Sequence, residues 1–237
     1  MNHPLDRPAW NALTGRLKTF ALGDAHAVRL DPALGVFLAA ADDGAESRAA
    51  LNDLALRYPG SGLVEREDGP MVDVLPEGPV ASRAPCVQMV CSALKGGPQD
   101  ARLGARLGAD VGAMPLKPDD AAQMLALATL TKPGPFRART HEMGGFIGVW
   151  RDGRLAAMAG QRLRLDGFTE LSGVCTHPDF RGQGLADALS RQVVAGILAR
   201  GEQAFLHAYD GHAATIRLYE SLGFAVRTRV IYTVMAD

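Results

Sequence analysis

The segment that most restricts this chain is a strand that runs through a glycine-rich turn into a helix. Val174-Cys175-Thr176-His177-Pro178 reads as the end of a strand. Arg181-Gly182-Gln183-Gly184 then opens a helix with Leu185, Leu189, Val193 and Ile197 on one face. Such a turn leaves several backbone N–H groups pointing out of a helix N-terminus, and its glycines remove the side chains that would block an approaching phosphate, so it suits an anion. Taken alone it has a plainer reading as well, because many strand-to-helix turns use glycine for geometry only. The rest of the chain has to decide.

Composition narrows the field. The 237 residues are 47% hydrophobic, enough for a proper core in one large domain or two small ones. With 25 basic and 26 acidic residues the formal net charge is -1, so nucleic acid and anionic membrane are not expected as main partners. Neither a basic run nor a pattern of aromatic stacking residues is present. Cys86, Cys91 and Cys175 are odd in number and lack CxxC spacing or a His cluster, which argues against a disulfide framework and against structural zinc; no metal is expected. The N-terminus from Met1 to Trp10 carries Asp6, Arg7 and two prolines where a signal peptide needs an apolar core, and no stretch is apolar for the roughly 18 residues of a membrane span. The expected location is cytoplasmic.

Along the first hundred residues, helices are predicted at Pro8–Phe20 and Glu46–Tyr58, and strands at Gly35–Ala40, Leu63–Glu65 and Cys86–Cys91. Gly69-Pro70, Pro76, Gly78-Pro79 and Pro85 break the segment between the last two strands. Gly96-Gly97-Pro98 marks a soft domain boundary near residue 97. Beyond it, Lys117-Pro118-Asp119-Asp120 starts a helix that Pro133-Gly134-Pro135 stops. Phe146–Trp150 and Leu155–Ala159 read as a hairpin about an Asp-Gly turn, followed by a strand at Thr169–Thr176. The chain ends with a strand at Gln203–Tyr209, a helix at Ala213–Leu222 capped by Gly223, and a last strand over Phe224–Met235.

Two segments together carry a family resemblance. Arg181 to Ala186 matches the acyl-CoA motif Q/R-x-x-G-x-G/A of the GNAT superfamily, preceded by a strand ending in proline, and Ala213 to Phe224, AATIRLYESLGF, is similar to that family's closing signature. From about Val111 to Asp237 the chain therefore resembles a GNAT N-acetyltransferase domain. The resemblance implies an α+β fold: a mixed, mostly antiparallel sheet flanked by helices and splayed between two central strands, Thr169–Thr176 and Gln203–Tyr209. A smaller α/β region, residues 1–97, would precede the acetyltransferase domain at 98–237, either as a degenerate second GNAT-like unit or as an unrelated cap. That region has no glycine turn of its own, so no second cofactor site is expected there.

The resemblance also implies roles. Acetyl-CoA would place its pyrophosphate on the turn of Arg181, Gly182, Gln183, Gly184, Leu185 and Ala186. Its pantetheine arm would lie along Val174, Cys175 and Thr176, where a backbone N–H would polarise the thioester carbonyl. The family's cofactor-contacting Asn corresponds here to His212, which can still donate one hydrogen bond. Glu170 resembles the general-base glutamate of some members, its plain alternative being a solvated residue at a strand end. Tyr219 matches the tyrosine that protonates the leaving thiolate, its alternative being core packing. His207 interrupts an apolar strand on the lip of the splay and reads first as a hydrogen-bonded core histidine, so water or His207 stays open as the base. Cys175 is read as a small buried hydrophobe. The loop Thr131 to Phe136 falls where related enzymes place an acceptor-facing segment.

The expected activity is transfer of acetyl from acetyl-CoA to a primary amine by direct attack through a tetrahedral intermediate. The acceptor would be a small molecule or a peptide amine, and the oligomeric state is open, a homodimer included. The competing expectation is a catalytically weak acyl-CoA-binding sensor or regulatory module.

Overall fold

A computed structural model describes residues 3–96 and 111–236. Among the described residues, two sheets and five α-helices make an α+β fold. A small sheet, β1 (Ala21–Gly23), β2 (Ala27–Leu30) and β3 (Leu38–Ala40), is antiparallel and comes from the N-terminal region. The large sheet has eight strands in the order β4-β11-β5-β10-β9-β8-β7-β6. They are β4 (Gly62–Arg66), β5 (Val80–Cys91), β6 (Ala113–Pro115), β7 (Phe146–Arg151), β8 (Arg154–Leu165), β9 (Phe168–Thr176), β10 (Gln203–Tyr209) and β11 (Ala225–Met235). Every pairing in it is antiparallel except that of β9 with β10.

Helices cover both faces of the large sheet. On one face lie α4 (Leu185–Leu198) and α5 (Ala213–Leu222), whose Leu189, Val194, Ile197 and Leu222 join Met89, Leu206 and Phe224 in one core. The spacing of the α4 residues is the one-face repeat expected of a helix that buries one side. On the other face, α1 (Pro8–Thr14), the turn before it and the small sheet with its flanking residues bring Leu5, Leu13, Leu30 and Phe37 against Phe205, Leu163 and Val230. Helix α2 (Ala45–Arg57) packs behind the small sheet through Leu51 and Leu54. Helix α3 (Ala121–Thr131) seats Met124, Leu127 and Ala128 on Met158 and Cys175.

The boundary drawn near residue 97 does not divide the sheet. Strand β5, from before it, lies between β10 and β11, both from after it, and β4 extends the far edge of β11. The N-terminal region thus supplies two strands to the sheet of the C-terminal half, which satisfy both edges of β11 and one edge of β10. Of the break read at Gly96-Gly97-Pro98, Gly97 and Pro98 lie outside the described residues.

Several predicted elements change length. The first helix stops at Thr14 and is followed by a 3-10 turn at Lys18–Phe20. The strand expected from Gly35 starts at Leu38, and β1 and β2 are too short to show a period in sequence. Strand β5 runs six residues further toward the N-terminus than Cys86, through Pro85. Proline lacks the N–H a ladder needs, yet Pro85 sits where β5 has already outrun β10. Its carbonyl takes the amide of Asp210 at 3.1 Å, so the missing N–H also faces that open side.

Candidate active site

Strands β9 and β10 pair in parallel only over Phe168, Thr169 and Glu170 against Gln203, Ala204 and Phe205. Beyond that point they part, leaving the edge of β9 from Leu171 to Thr176 without a ladder partner on that side. A β-bulge bends β9 within this stretch. Between the pairs Met158↔Cys175 and Gly160↔Ser172, the two residues Gly173 and Val174 oppose one, Ala159. Gly173 has φ +65°, a left-handed conformation, and a β-carbon there would stand 2.7 Å from the Phe146 ring.

Two cavities open at the divergence and share Thr131, Pro133, Val174, Thr215 and Tyr219. The first, about 400 Å³, is lined by Val174, Cys175, Thr176, Arg181, Gly182, Gly184, Leu185 and Ala186. Eight of the residues expected to hold the cofactor therefore border one space. Gln183 borders neither cavity, and His212 borders the second, its ring 5.3 Å from that of Tyr209.

Three features suit the first cavity to a phosphate-bearing ligand. Gly182 and Gly184 adopt φ +77° and +74°, and a β-carbon on either would meet nothing within 4 Å, so the turn is open toward the cavity. Helix α4 starts at Gly184 without any side-chain cap, leaving its first N–H groups for an anion. Thr176 Oγ1 is buried beside the same space and has no hydrogen-bond partner among the described residues.

The second cavity, about 300 Å³, lies on the side of the N-terminal layer. Phe37, Val64 and Cys86 from that layer meet Arg162, His207, Tyr209 and Tyr232, and the loop from Lys132 to Pro135 closes one side. No Asp or Glu lines it among the described residues.

Glu170 is neither at the cavity wall nor in solvent; it is fully buried behind Arg162 and His207. One carboxylate oxygen accepts from Arg162 Nε at 2.8 Å and from the Leu163 amide at 3.3 Å. The other accepts from Arg162 Nη2 at 2.9 Å and lies 2.9 Å from His207 Nδ1. These four contacts use the lone pairs a carboxylate has to offer. Burial opposes the charge, but the Arg162 guanidinium and the two side-chain hydrogen bonds hold the carboxyl down at about 2. Since the carboxylate can only accept, the proton between the two groups belongs to His207 Nδ1. The other ring nitrogen, Nε2, then faces the Gln88 side-chain nitrogen at 3.2 Å with its lone pair. The side-chain nitrogen of Gln88 also donates to the Leu5 carbonyl at 2.9 Å, and its oxygen accepts from Arg227, so the amide cannot be turned around without loss.

Tyr219, on α5, stands at the junction of the two cavities and packs edge-on to Phe224 at 5.7 Å. Burial pushes its hydroxyl up to about 12, so it keeps its proton across the working pH range. Burial also raises the Cys175 thiol to about 11, which fits a packing role. The sequence undervalued His207: an isolated histidine in an apolar strand carries no sign that Glu170, 37 positions earlier, will lie beside it.

The comparisons fit this geometry. The FR47-like protein family matches residues 146–233, from the start of β7 to Thr233 within β11. A protein of the GNAT acetyltransferase family from Novosphingobium aromaticivorans is 41% identical, covers 100% of this chain and 99% of its own, and superposes with a TM-score of 0.83. The chain belongs to the GNAT family. A GCN5-related N-acetyltransferase from Kribbella flavida (22% identity, 97% and 94% coverage, TM-score 0.65) has the same fold. So does a GCN5-related N-acetyltransferase-like protein from Streptococcus suis (15%, 96% and 92%, 0.61). No curated protein matches. The first two alignments take in nearly the whole GNAT chain, so the N-terminal layer is part of what it shares with them. No helix among the described residues is long and apolar enough to cross a membrane.

Proposed function

We propose that this GNAT chain is an acyl-CoA-dependent N-acyltransferase that moves acetyl from acetyl-CoA to a primary amine by direct attack. The observation that carries the reading is the meeting of two cavities at Val174 and Tyr219, one bordered by the glycine turn and the uncapped helix, the other closed by the N-terminal layer. Acetyl-CoA supplies the activated acyl group and a thiolate that leaves readily. Gly182 to Ala186 hold its phosphates with backbone N–H groups, and Val174 to Thr176 offer the free edge of β9 to its extended arm. The second cavity receives the amine.

Tyr219, a phenol that is protonated at working pH, gives its proton to the leaving sulfur. The proton shed by the attacking amine goes to the His207–Glu170 couple. Glu170 fixes the tautomer of His207 and offsets the charge His207 acquires, acting as a positioning residue, with His207 Nε2 as the acceptor once its 3.2 Å contact with Gln88 lengthens. A binding module without turnover is the second reading, favoured by that same contact, because both candidate bases are already hydrogen-bonded. Thiol release from acetyl-CoA over a panel of primary amines separates the two. Gly184→Glu puts a charged side chain where the phosphate would lie. CoA binding by calorimetry should weaken at least about tenfold, the scale of one lost charge-assisted contact. Unchanged affinity in a folded variant removes the assignment of the turn.

A further inference from the structure

Arg162 belongs to the second cavity in a way that the transfer reaction leaves unused. Its side chain is only 10% exposed. Nε and Nη2 are spent on Glu170, and the guanidinium lies over the Phe37 ring at 4.7 Å. The third nitrogen, Nη1, makes no hydrogen bond among the described residues, although Arg162 lines the cavity. The same holds for the hydroxyls of Tyr209 and Tyr232, which line the same space and lie close enough to Arg162 to interact with its charge. Three donors thus border one cavity, and among the described residues no carboxylate lines it. The free Nη1 edge faces the cavity, and the planar N–H groups of a guanidinium match carboxylate oxygens.

The charge balance restricts the ligand further. Glu170 offsets Arg162, while Lys132, on the loop at the cavity wall, makes no ion pair among the described residues. One uncompensated positive charge suits a singly charged anion better than a phosphate dianion. At about 300 Å³ the space equals roughly ten water volumes of about 30 Å³ each, the size of a small amino acid derivative and not of a folded chain.

We infer that Arg162, with Tyr209 and Tyr232, binds the carboxylate of the acceptor, so that the acceptor amine belongs to an amino acid or a similar small amino carboxylate. This rests on the acyltransferase reading, and places the amine of that acceptor toward Tyr219 with its carboxylate against the N-terminal layer.

The test uses product mimics and needs no turnover. With CoA bound to the full chain, calorimetry compares N-acetylglycine, N-acetylleucine and N-acetylphenylalanine with their carboxamides. At least one acid should bind about tenfold more tightly than its amide, the worth of one charge-assisted hydrogen bond. Arg162→Lys should abolish that preference. Because loss of the fork facing Glu170 can unfold the chain, the double variant Tyr209→Phe/Tyr232→Phe, which leaves the Arg162–Glu170 pair intact, should cut it at least about threefold. Acids binding no better than amides, or a preference untouched in the folded tyrosine variant, overturns the inference. Failure of CoA itself to bind in the first titration would instead strike the acyltransferase reading.

Discussion

At the scale of single residues, burial raises both Tyr219 and Glu65, with different consequences. Tyr219 carries the proton that a donor to a departing thiolate needs, as a phenol does at neutral pH even at its ordinary value, and burial lifts it further, to about 12. Tyr219→Phe should therefore lower kcat by about a hundredfold, the low end for general acid catalysis, while the affinity for CoA stays within about twofold. A packing role predicts a kcat within about threefold of the parent, since the ring remains. Glu65 is buried against Arg7, whose Nε lies 3.8 Å away, and burial raises its carboxyl to about 7. The folded chain then holds a proton that the unfolded chain has released between pH 4.5 and 7. Stability accordingly falls as pH rises through that window, and the loss is complete above it, at up to about 3 kcal/mol. Glu65→Gln should match the parent in thermal midpoint near pH 4.5 and exceed it by several degrees at pH 8. An equal difference at both pH values would contradict this account.

Among the elements, β9 matters most, since its bulge lies in the stretch that has parted from β10 and sets Val174 at the wall of both cavities. Gly173→Ala imposes a side chain on a left-handed backbone and drives it into Phe146, which is itself braced edge-on by Phe136 at 5.7 Å. The cost should be about 2–4 kcal/mol, read as a shifted denaturation midpoint, and CoA affinity should fall with it because Val174 moves. Stability unchanged within about 0.5 kcal/mol would show that the bulge relaxes freely. The longer elements of this layer could be read in sequence: the one-face repeat of α4, the Asp-Gly hairpin of β7 and β8, and the glycine turn all depend on neighbouring residues. The bulge could not, because Gly173 within a strand pattern says only that something is irregular. The site divided in the same way. The turn and Tyr219 sit in contiguous motifs, whereas the Arg162–Glu170–His207 cluster joins β8, β9 and β10 across loops of quite different length.

For the whole molecule, the interleaving of β5 between β10 and β11 governs what can be removed. A chain starting at residue 98 would leave β10 and β11 without the strand between them and strip Phe205 of its N-terminal cover. Such a fragment should lack the cooperative thermal transition of the full chain, and mixing it with residues 1–97 should restore it, as followed by circular dichroism. An independently folded C-terminal fragment would refute that expectation. Here the sequence misled through its own clarity: prolines and glycines around residue 97 punctuate the chain, but punctuation reports local backbone preference and is blind to which distant edge a strand will fill.

The same interleaving sets an order of events during synthesis. As the chain is made, β5 emerges more than a hundred residues before β10 and β11. It has to wait with both edges open, exposing Met89 and Cys91, which end fully buried. The sheet can close only after β11 leaves the ribosome, so the waiting strand is the segment most in need of shelter from other chains.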